Sequence, residues 1–353
     1  MRVMGRQNRG GGTTLRPRAT PQPGDVIMTE KLVTIFGGSG FIGRYLVRRL
    51  AAEGWRVRVA VRDVERAAFL RPAGDVGQIA ITPVSVSDAA GVAAAVAGAD
   101  AVVNLVGILF ERGKRTFQAI HVDGATNVAK AAAAAGVKRY VHMSALGADQ
   151  NSPSAYARSK DAGEMAVRAA LPAATIFRPS VVFGTEDGFF NLFGWMAQVF
   201  PAITFFTNTN PHTPSGDGPK FQPVYVGDVV EAIAQSLTGV GHAGKIYELA
   251  GPRVYDMREI MHIVNRETRR DRWIIGLPFL IAEIAALFLQ FMPKPLLTPD
   301  QVKQLRQGNV ATSRRPGLAV FGITPTTLEV VVPTYLKRFR GMQQTKKLRL
   351  QAR

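Results

Sequence analysis

With 353 residues, 46% of them apolar, and no cysteine, the chain can bury a sizeable core but has no disulfide framework, thiolate nucleophile or cysteine-ligated metal. Its formal net charge of +18 is concentrated at the ends: residues 1–27 carry a net +4 and residues 337–353 a net +7, leaving +7 for everything between. The body is only mildly basic, so no nucleic-acid partner is expected, and no metal site is read in the sequence.

Residues 1–27, rich in Gly, Pro, Arg and Thr, cannot support a core and are expected to be a disordered tail. The stretch is arginine-rich like a transit peptide, but Gly10–Gly12, Pro17, Pro21 and Pro23 spoil an amphipathic helix. Met28 is a second candidate start.

Leu32–Gly43 (LVTIFGGSGFIG) then organises the chain. An apolar run suited to a buried parallel strand passes straight into Gly37, Gly40 and Gly43, and the apolar spacing of a helix begins at Phe41 and Ile42. In a strand–turn–helix of this kind the first glycine permits the tight turn. The second lets backbone N–H groups approach a pyrophosphate, and the third lets the helix pack on the strand. The pyrophosphate would rest on the helix N-terminus, so Gly37, Gly40, Phe41, Ile42, Gly43 and Arg44 are candidate cofactor contacts.

A second strand, Arg56–Val61, ends in Arg62-Asp63. A carboxylate at this place holds the adenosine 2′-hydroxyl of NAD, whereas an arginine accepts the 2′-phosphate of NADP. Arg62 with Arg44 favours NADPH; Asp63 speaks for NAD. A strand near Gln78–Pro83, a helix from Asp88 and a strand Ala101–Leu105 follow, with Asn104 and Gly107 closing the last over the nicotinamide side. The helix Phe117–Ala135 and strand Arg139–Met143 complete an alternation that predicts a doubly wound, Rossmann-type parallel α/β sheet. Ser144 ends the fifth strand, and Tyr156-Ala-Arg-Ser-Lys160 opens the next helix with Tyr156 and Lys160 on one face. A lysine that lowers the phenol's pKa and a serine that orients a carbonyl make a reductase's acid–base set.

These residues resemble the short-chain dehydrogenase/reductase superfamily, particularly its extended, epimerase-like branch. Ser144, Tyr156 and Lys160 look like its catalytic triad, vestigial or active. Arg178-Pro-Ser-Val-Val-Phe-Gly184 resembles the strand and turn leading to its substrate lobe, and adds Arg178 to the candidate cofactor contacts. Gln222-Pro-Val-Tyr-Val-Gly-Asp-Val229 resembles a later strand and helix of the branch. The chain departs from that pattern at Phe36 (usually threonine), at His121 (usually asparagine) and in a shorter loop from Ser144 to Tyr156.

Downstream, the aromatic stretch from Phe189 to Phe206 reads as the core of a small lobe, and Asp256-Met-Arg-Glu259 as a capping box opening Met257–Thr268. Trp273–Met292 (WIIGLPFLIAEIAALFLQFM) approaches the length needed to cross a bilayer, but Pro278, Glu283 and Gln290 interrupt it. Read as one helix, it lies in a membrane interface or docks a subunit, is an ordinary buried helix, or spans; the first is preferred. Thr298-Pro-Asp-Gln301 opens another helix, and Ile323–Phe339 reads as the last.

Leu277-Pro-Phe279 leading into an apolar helix, followed by Pro293-Lys-Pro-Leu-Leu-Thr-Pro-Asp-Gln-Val302, is similar to the dehydrogenase-like accessory subunit of respiratory complex I, the NADH:ubiquinone oxidoreductase. Phe36–Gly43, Tyr156–Lys160, Phe177–Ser180 and Gln222–Val226 fit that subunit. The resemblance implies a peripheral subunit that holds NADPH as a structural element, beside the quinone site and among other complex I subunits, without turnover. It also implies contact with the membrane surface through residues 273–292. The alanine-rich, short-looped chain points to the cytoplasmic face of a bacterial inner membrane, or the matrix side if organellar. A free-standing NADP-dependent reductase or epimerase is the alternative, and a regulator or assembly protein without chemistry a third. The expected organisation is a tail 1–27, a NAD(P)-binding domain 28–340 with a C-terminal lobe formed mainly by 184–222 and 251–335, and a basic tail 341–353.

Overall fold

The computed structural model describes residues 31–207, 218–293 and 295–341; the expectations for the first tail, Met28 and residues 342–353 lie outside them. β1 (Leu32–Phe36), α1 (Phe41–Ala52), β2 (Arg56–Val61), a short α2 (Val64–Ala67) and β3 (Ile79–Pro83) form the first half of the sheet unit. The chain then continues through α3 (Ala89–Val96), β4 (Ala101–Asn104), α4 (Gly124–Ala134), β5 (Arg139–Met143), α5 (Ala155–Ala170) and β6 (Thr175–Pro179).

After β7 (Val182–Phe183) come α6 (Phe189–Val199), β8 (Ala202–Thr207), β9 (Lys220–Phe221), β10 (Val224–Tyr225), α7 (Val226–Thr238) and β11 (Ile246–Leu249). The remainder is β12 (Tyr255–Asp256), α8 (Met257–Thr268), β13 (Trp273–Pro278), α9 (Phe279–Leu289), α10 (Pro299–Gln307) and α11 (Leu328–Leu336).

Seven parallel strands stand in the order β11-β6-β5-β4-β1-β2-β3, the doubly wound sheet that the alternation predicts. The order reverses between β1 and β4, which opens a crevice at the carboxyl ends of those two strands. Strands covered on both faces read as continuous apolar runs. Val33, Ile35, Val57, Val59 and Val103 pack towards α1 and α7, while Phe36, Ala60 and Val102 pack towards α3 and α4. The one polar residue inside β1, Thr34, is fully buried and donates its hydroxyl to the Ala95 carbonyl at 2.8 Å.

A separate cluster joins α6, β8, α8 and α11 through Phe190, Ile203, Ile260, Val264 and Val332. Both predicted capping boxes are present, at Asp256 with Glu259 and at Thr298 with Gln301.

Three expectations are corrected. Trp273–Met292 is not one helix: Trp273–Pro278 is a strand paired in parallel with β8, and the helix begins only at Phe279. Pro278, lacking an N–H, ends the strand and stands as the N-cap of α9. The long helix from Phe117 begins with a π-helical turn, Gln118–Asp123, before α4. The last helix begins at Leu328, five residues late, because Pro325 disfavours helical backbone at Thr324. No helix among the described residues is long and apolar enough to cross a membrane.

Candidate functional site

The site is built at the crevice between β1 and β4. Gly37 leaves β1 at φ +78°, a conformation costly for a side chain, and a Cβ there would stand 3.3 Å from the backbone of Leu105 and Val106 at the exit of β4. At Gly43 a Cβ would meet the Gly37 carbonyl oxygen at 2.5 Å, so only glycine lets α1 seat on the turn. Gly40 caps α1 without a side chain, and no acid stands in the first turn, which leaves the leading N–H groups of a 12-residue helix to an anion. Phe41 and Ile42 turn their side chains into the core, so what they offer at this turn is backbone N–H. These features fit a dinucleotide pyrophosphate.

At the end of β2, Arg62 is exposed. Asp63 is spent elsewhere: its carboxylate accepts the Arg66 N–H at 3.0 Å, capping α2, and pairs with the Arg66 guanidinium at 3.1 Å. Arg44 also has partners of its own, the Gly40 carbonyl at 3.4 Å, Glu186 at 3.4 Å and the face of Phe69 at 5.0 Å.

The buried Asn104 accepts the Val106 N–H at 3.1 Å and thereby shapes the chain leaving β4. Gly107 follows, where a Cβ would lie 3.6 Å from His121 Nε2.

Ser144, Tyr156 and Lys160 come to the same edge of the sheet without forming one hydrogen-bonded unit. The buried Ser144 hydroxyl donates to Glu164, whose carboxylate also receives Arg178 through Nε and Nη2, both at 2.8 Å. Arg178 lies 3.5 Å from Asp161 as well. Both Ser144 and Arg178 therefore belong to a buried ionic network, in which the serine hydroxyl is held by a carboxylate rather than left to orient a carbonyl. Glu164 was missed in the sequence, although its position one helical turn beyond Lys160 was the available signal.

Lys160 Nζ donates to the Met143 carbonyl at 2.7 Å, and burial lowers its pKa to about 8 against the pull of Glu164. The Tyr156 phenol is pushed up to about 12 by burial, so it remains a proton-bearing donor at neutral pH. Its ring stands edge-on to His121 and Phe117, with centroids at 5.4 and 5.9 Å.

His121 occupies the π-helical turn and has both nitrogens engaged. Nε2 accepts the Ile108 N–H at 2.9 Å. Because Ser159 donates its hydroxyl to the Tyr156 carbonyl at 2.7 Å, the network assigns the His121 proton to Nδ1, which donates to Ser159 Oγ at 2.8 Å. Burial first and the Lys160 charge second lower its pKa to about 3. The ring is a neutral fixture linking the β4 exit to the helix of Tyr156. That helix is capped from outside: Asp300 of α10 accepts Ala155 N–H at 2.6 Å, the Ser154 hydroxyl at 2.8 Å and Tyr156 N–H at 3.1 Å.

The sequence profile of the NAD dependent epimerase/dehydratase family matches residues 33–250. The mitochondrial NADH-ubiquinone oxidoreductase 40 kDa subunit of Neurospora crassa is 30% identical over 329 residues, which cover 93% of this chain and 84% of that protein. The mitochondrial NADH dehydrogenase [ubiquinone] 1 alpha subcomplex subunit 9 of Arabidopsis thaliana is 37% identical over 289 residues, covering 80% and 70%. Among solved structures, the NADPH-dependent quinone oxidoreductase QOR2 of Escherichia coli in complex with NADPH shares the fold. Its TM-score is 0.66 at 21% identity, over 86% of this chain and 99% of that one.

Proposed function

We infer the role of this protein from its kinship: the chain belongs to the NAD dependent epimerase/dehydratase family, and within it is an accessory subunit of respiratory complex I, the NADH:ubiquinone oxidoreductase. The observation that carries the reading is the reach of the likeness. The family profile stops at residue 250, whereas identity to the 40 kDa subunit extends over 93% of the chain and so beyond the profile into the lobe that carries α8, α9 and α10. A free-standing reductase or epimerase is not favoured, and the engagement of the Ser144 hydroxyl with Glu164 speaks against it.

The ligand is a nicotinamide dinucleotide, which when bound supplies a hydride acceptor or donor; we assign it as NADP(H), held for structure rather than turned over. Arg62 at the end of β2, together with the diversion of Asp63 into the cap of α2, supports the 2′-phosphate form. The glycine turn would hold the pyrophosphate, while Tyr156 and Lys160 would offer donors on the nicotinamide side.

We further propose that the subunit sits beside the quinone-binding region, on the cytoplasmic face of a bacterial inner membrane or the matrix side in an organelle. Support comes from α9, which buries Phe279, Ala282 and Ala286 but leaves Leu280 65%, Leu287 54% and Phe288 73% exposed. Phe291 just beyond is 82% exposed. An apolar face of this size is a liability in a lone protein and an anchor in an assembly.

A tagged copy expressed in its own membranes and solubilised in mild detergent is expected to co-purify with NADH:ubiquinone oxidoreductase activity and to carry NADPH. A free monomer that oxidises NADPH with a carbonyl substrate, and loses this activity on Tyr156→Phe, would overturn the reading.

A further inference from the structure

The helical pair α9 and α10 is fastened to three successive strand exits on one side of the crevice. After β4, Arg112 Nη1 donates to the carbonyl of Pro293, in the turn between α9 and α10, at 2.7 Å. After β5, Asp300 in the first turn of α10 takes the N-terminus of α5, and the Ser152 hydroxyl donates to Gln307 Oε1 at 3.3 Å. After β6, Oδ1 of Asn309 accepts the Ser180 hydroxyl at 2.6 Å and the Val181 N–H at 2.9 Å.

Of these fastenings, Asp300 reaches Tyr156. A helix leaves its leading N–H groups without an intrahelical acceptor. In α5 two of them are met locally, Ser154 N–H by the Ser152 hydroxyl and Ala157 N–H by the Ser154 hydroxyl, both at 3.2 Å. The other two, Ala155 at 2.6 Å and Tyr156 at 3.1 Å, depend on Asp300, whose negative charge also suits a helix N-terminus. Gln304 Nε2 steadies that carboxylate at 3.0 Å. Through α10 it is joined to α9, because Glu283 pairs with Arg306 at 2.7 Å and Val302 is buried with Phe279, Ala282 and Ala286. The opposite face of α9 is the one that leaves Leu280, Leu287 and Phe288 exposed.

We propose that Asp300 is a positioning residue that ties occupancy of the cofactor site to the order of the docking face. A dinucleotide held at Tyr156 and Lys160 fixes the start of α5 and, through Asp300, the pair α9 and α10. The coupling is reciprocal, so a docked α9 holds the nicotinamide end more tightly. The proposal rests on the NADP(H) reading above and on its placing of Tyr156 and Lys160 at the nicotinamide.

The test combines calorimetric binding with amide hydrogen exchange on the full chain as wild type, Asp300→Asn and Asp300→Ala. The ligands are NADPH and 2′-phospho-ADP-ribose, which lacks the nicotinamide. In the wild type, saturating NADPH is expected to slow exchange in α9 and α10, and 2′-phospho-ADP-ribose to slow it less. Asp300→Ala is expected to weaken NADPH about 2- to 30-fold, the range that loss of a helix cap spans, and 2′-phospho-ADP-ribose less than about twofold. The same variant should abolish the NADPH-dependent protection of α9 and α10. Asp300→Asn, which keeps one acceptor oxygen, should fall between, and it decides the matter if the alanine variant fails to fold. Exchange in α9 and α10 that ignores NADPH in the wild type would overturn the proposal and leave the cofactor reading standing. Equal losses for both ligands in the Asp300 variants would make Asp300 a fold-holding residue and overturn it too. A wild type that binds neither ligand would overturn the NADP(H) reading, and this proposal with it.

Discussion

His121 shows how one substitution changes what a site can do. Where the extended branch usually has asparagine, this chain places a ring whose nitrogens are both engaged, one by the Ile108 N–H and one by Ser159. Its folded-state pKa, about 3, lies below the ordinary histidine value of 6.5. The stability it contributes is therefore complete above about pH 6.5 and is lost as pH falls towards 3, where the unfolded chain binds a proton that the folded chain refuses. The slope in that window is at most about 1.4 kcal/mol per pH unit for one histidine. His142, buried and likewise held well below its ordinary value by desolvation, acts in the same direction. Urea midpoints of wild type and His121→Asn between pH 7 and 4 should diverge, the variant falling more gently; parallel slopes would show that His121 does not carry this acid sensitivity.

At the scale of the element, α9 has two faces with opposite expectations. Its inner face packs Phe279 against Phe206 and under the Arg306 guanidinium at 4.9 Å, and Glu283 pairs with Arg306 at 2.7 Å. Phe279→Ala should cost about 3–5 kcal/mol, as emptying a buried aromatic site does. The triple change Leu280→Ser, Leu287→Ser, Phe288→Ser touches only the outer face, so its thermal midpoint should stay close to wild type, within about 0.5 kcal/mol per site. What it should lose is attachment, because burying each such side chain is worth about 1.5–3 kcal/mol. Thermal melts paired with membrane sedimentation separate the two. Retained attachment in the triple variant would return α9 to an ordinary surface helix.

At the scale of the whole molecule, the proposed cofactor would couple to the fold, because the crevice lies at the joint between the two halves of the sheet. A dinucleotide held there would meet the exits of neighbouring strands together and would bind only the folded chain. At a hundred times its dissociation constant NADPH should stabilise the protein by about 2.7 kcal/mol, visible as a raised melting temperature. Tyr156→Phe removes one hydroxyl and keeps the ring, so most of that rise and assembly into the complex should survive. A melting temperature indifferent to NADPH would deny the cofactor a structural role.

Signals confined to a few neighbouring residues were sufficient wherever the physics is local. The glycine spacing of Gly37, Gly40 and Gly43 determined a turn because Gly37 takes a left-handed φ and a Cβ at Gly43 would strike the Gly37 carbonyl, and both capping boxes are i to i+3 matters. The alternation of strand and helix patterns determined the doubly wound sheet, since right-handed crossovers leave few ways to stack it. Tertiary structure alone decided the rest. Trp273–Pro278 carries enough apolar bulk for helix or strand, and it is a strand because β8 offers it six residues of parallel pairing. Ser144 had the right place for a reductase, but its hydroxyl is taken by Glu164 from a separate helix. Pairings between distant segments are set by the packing of the whole sheet, and no local pattern records them.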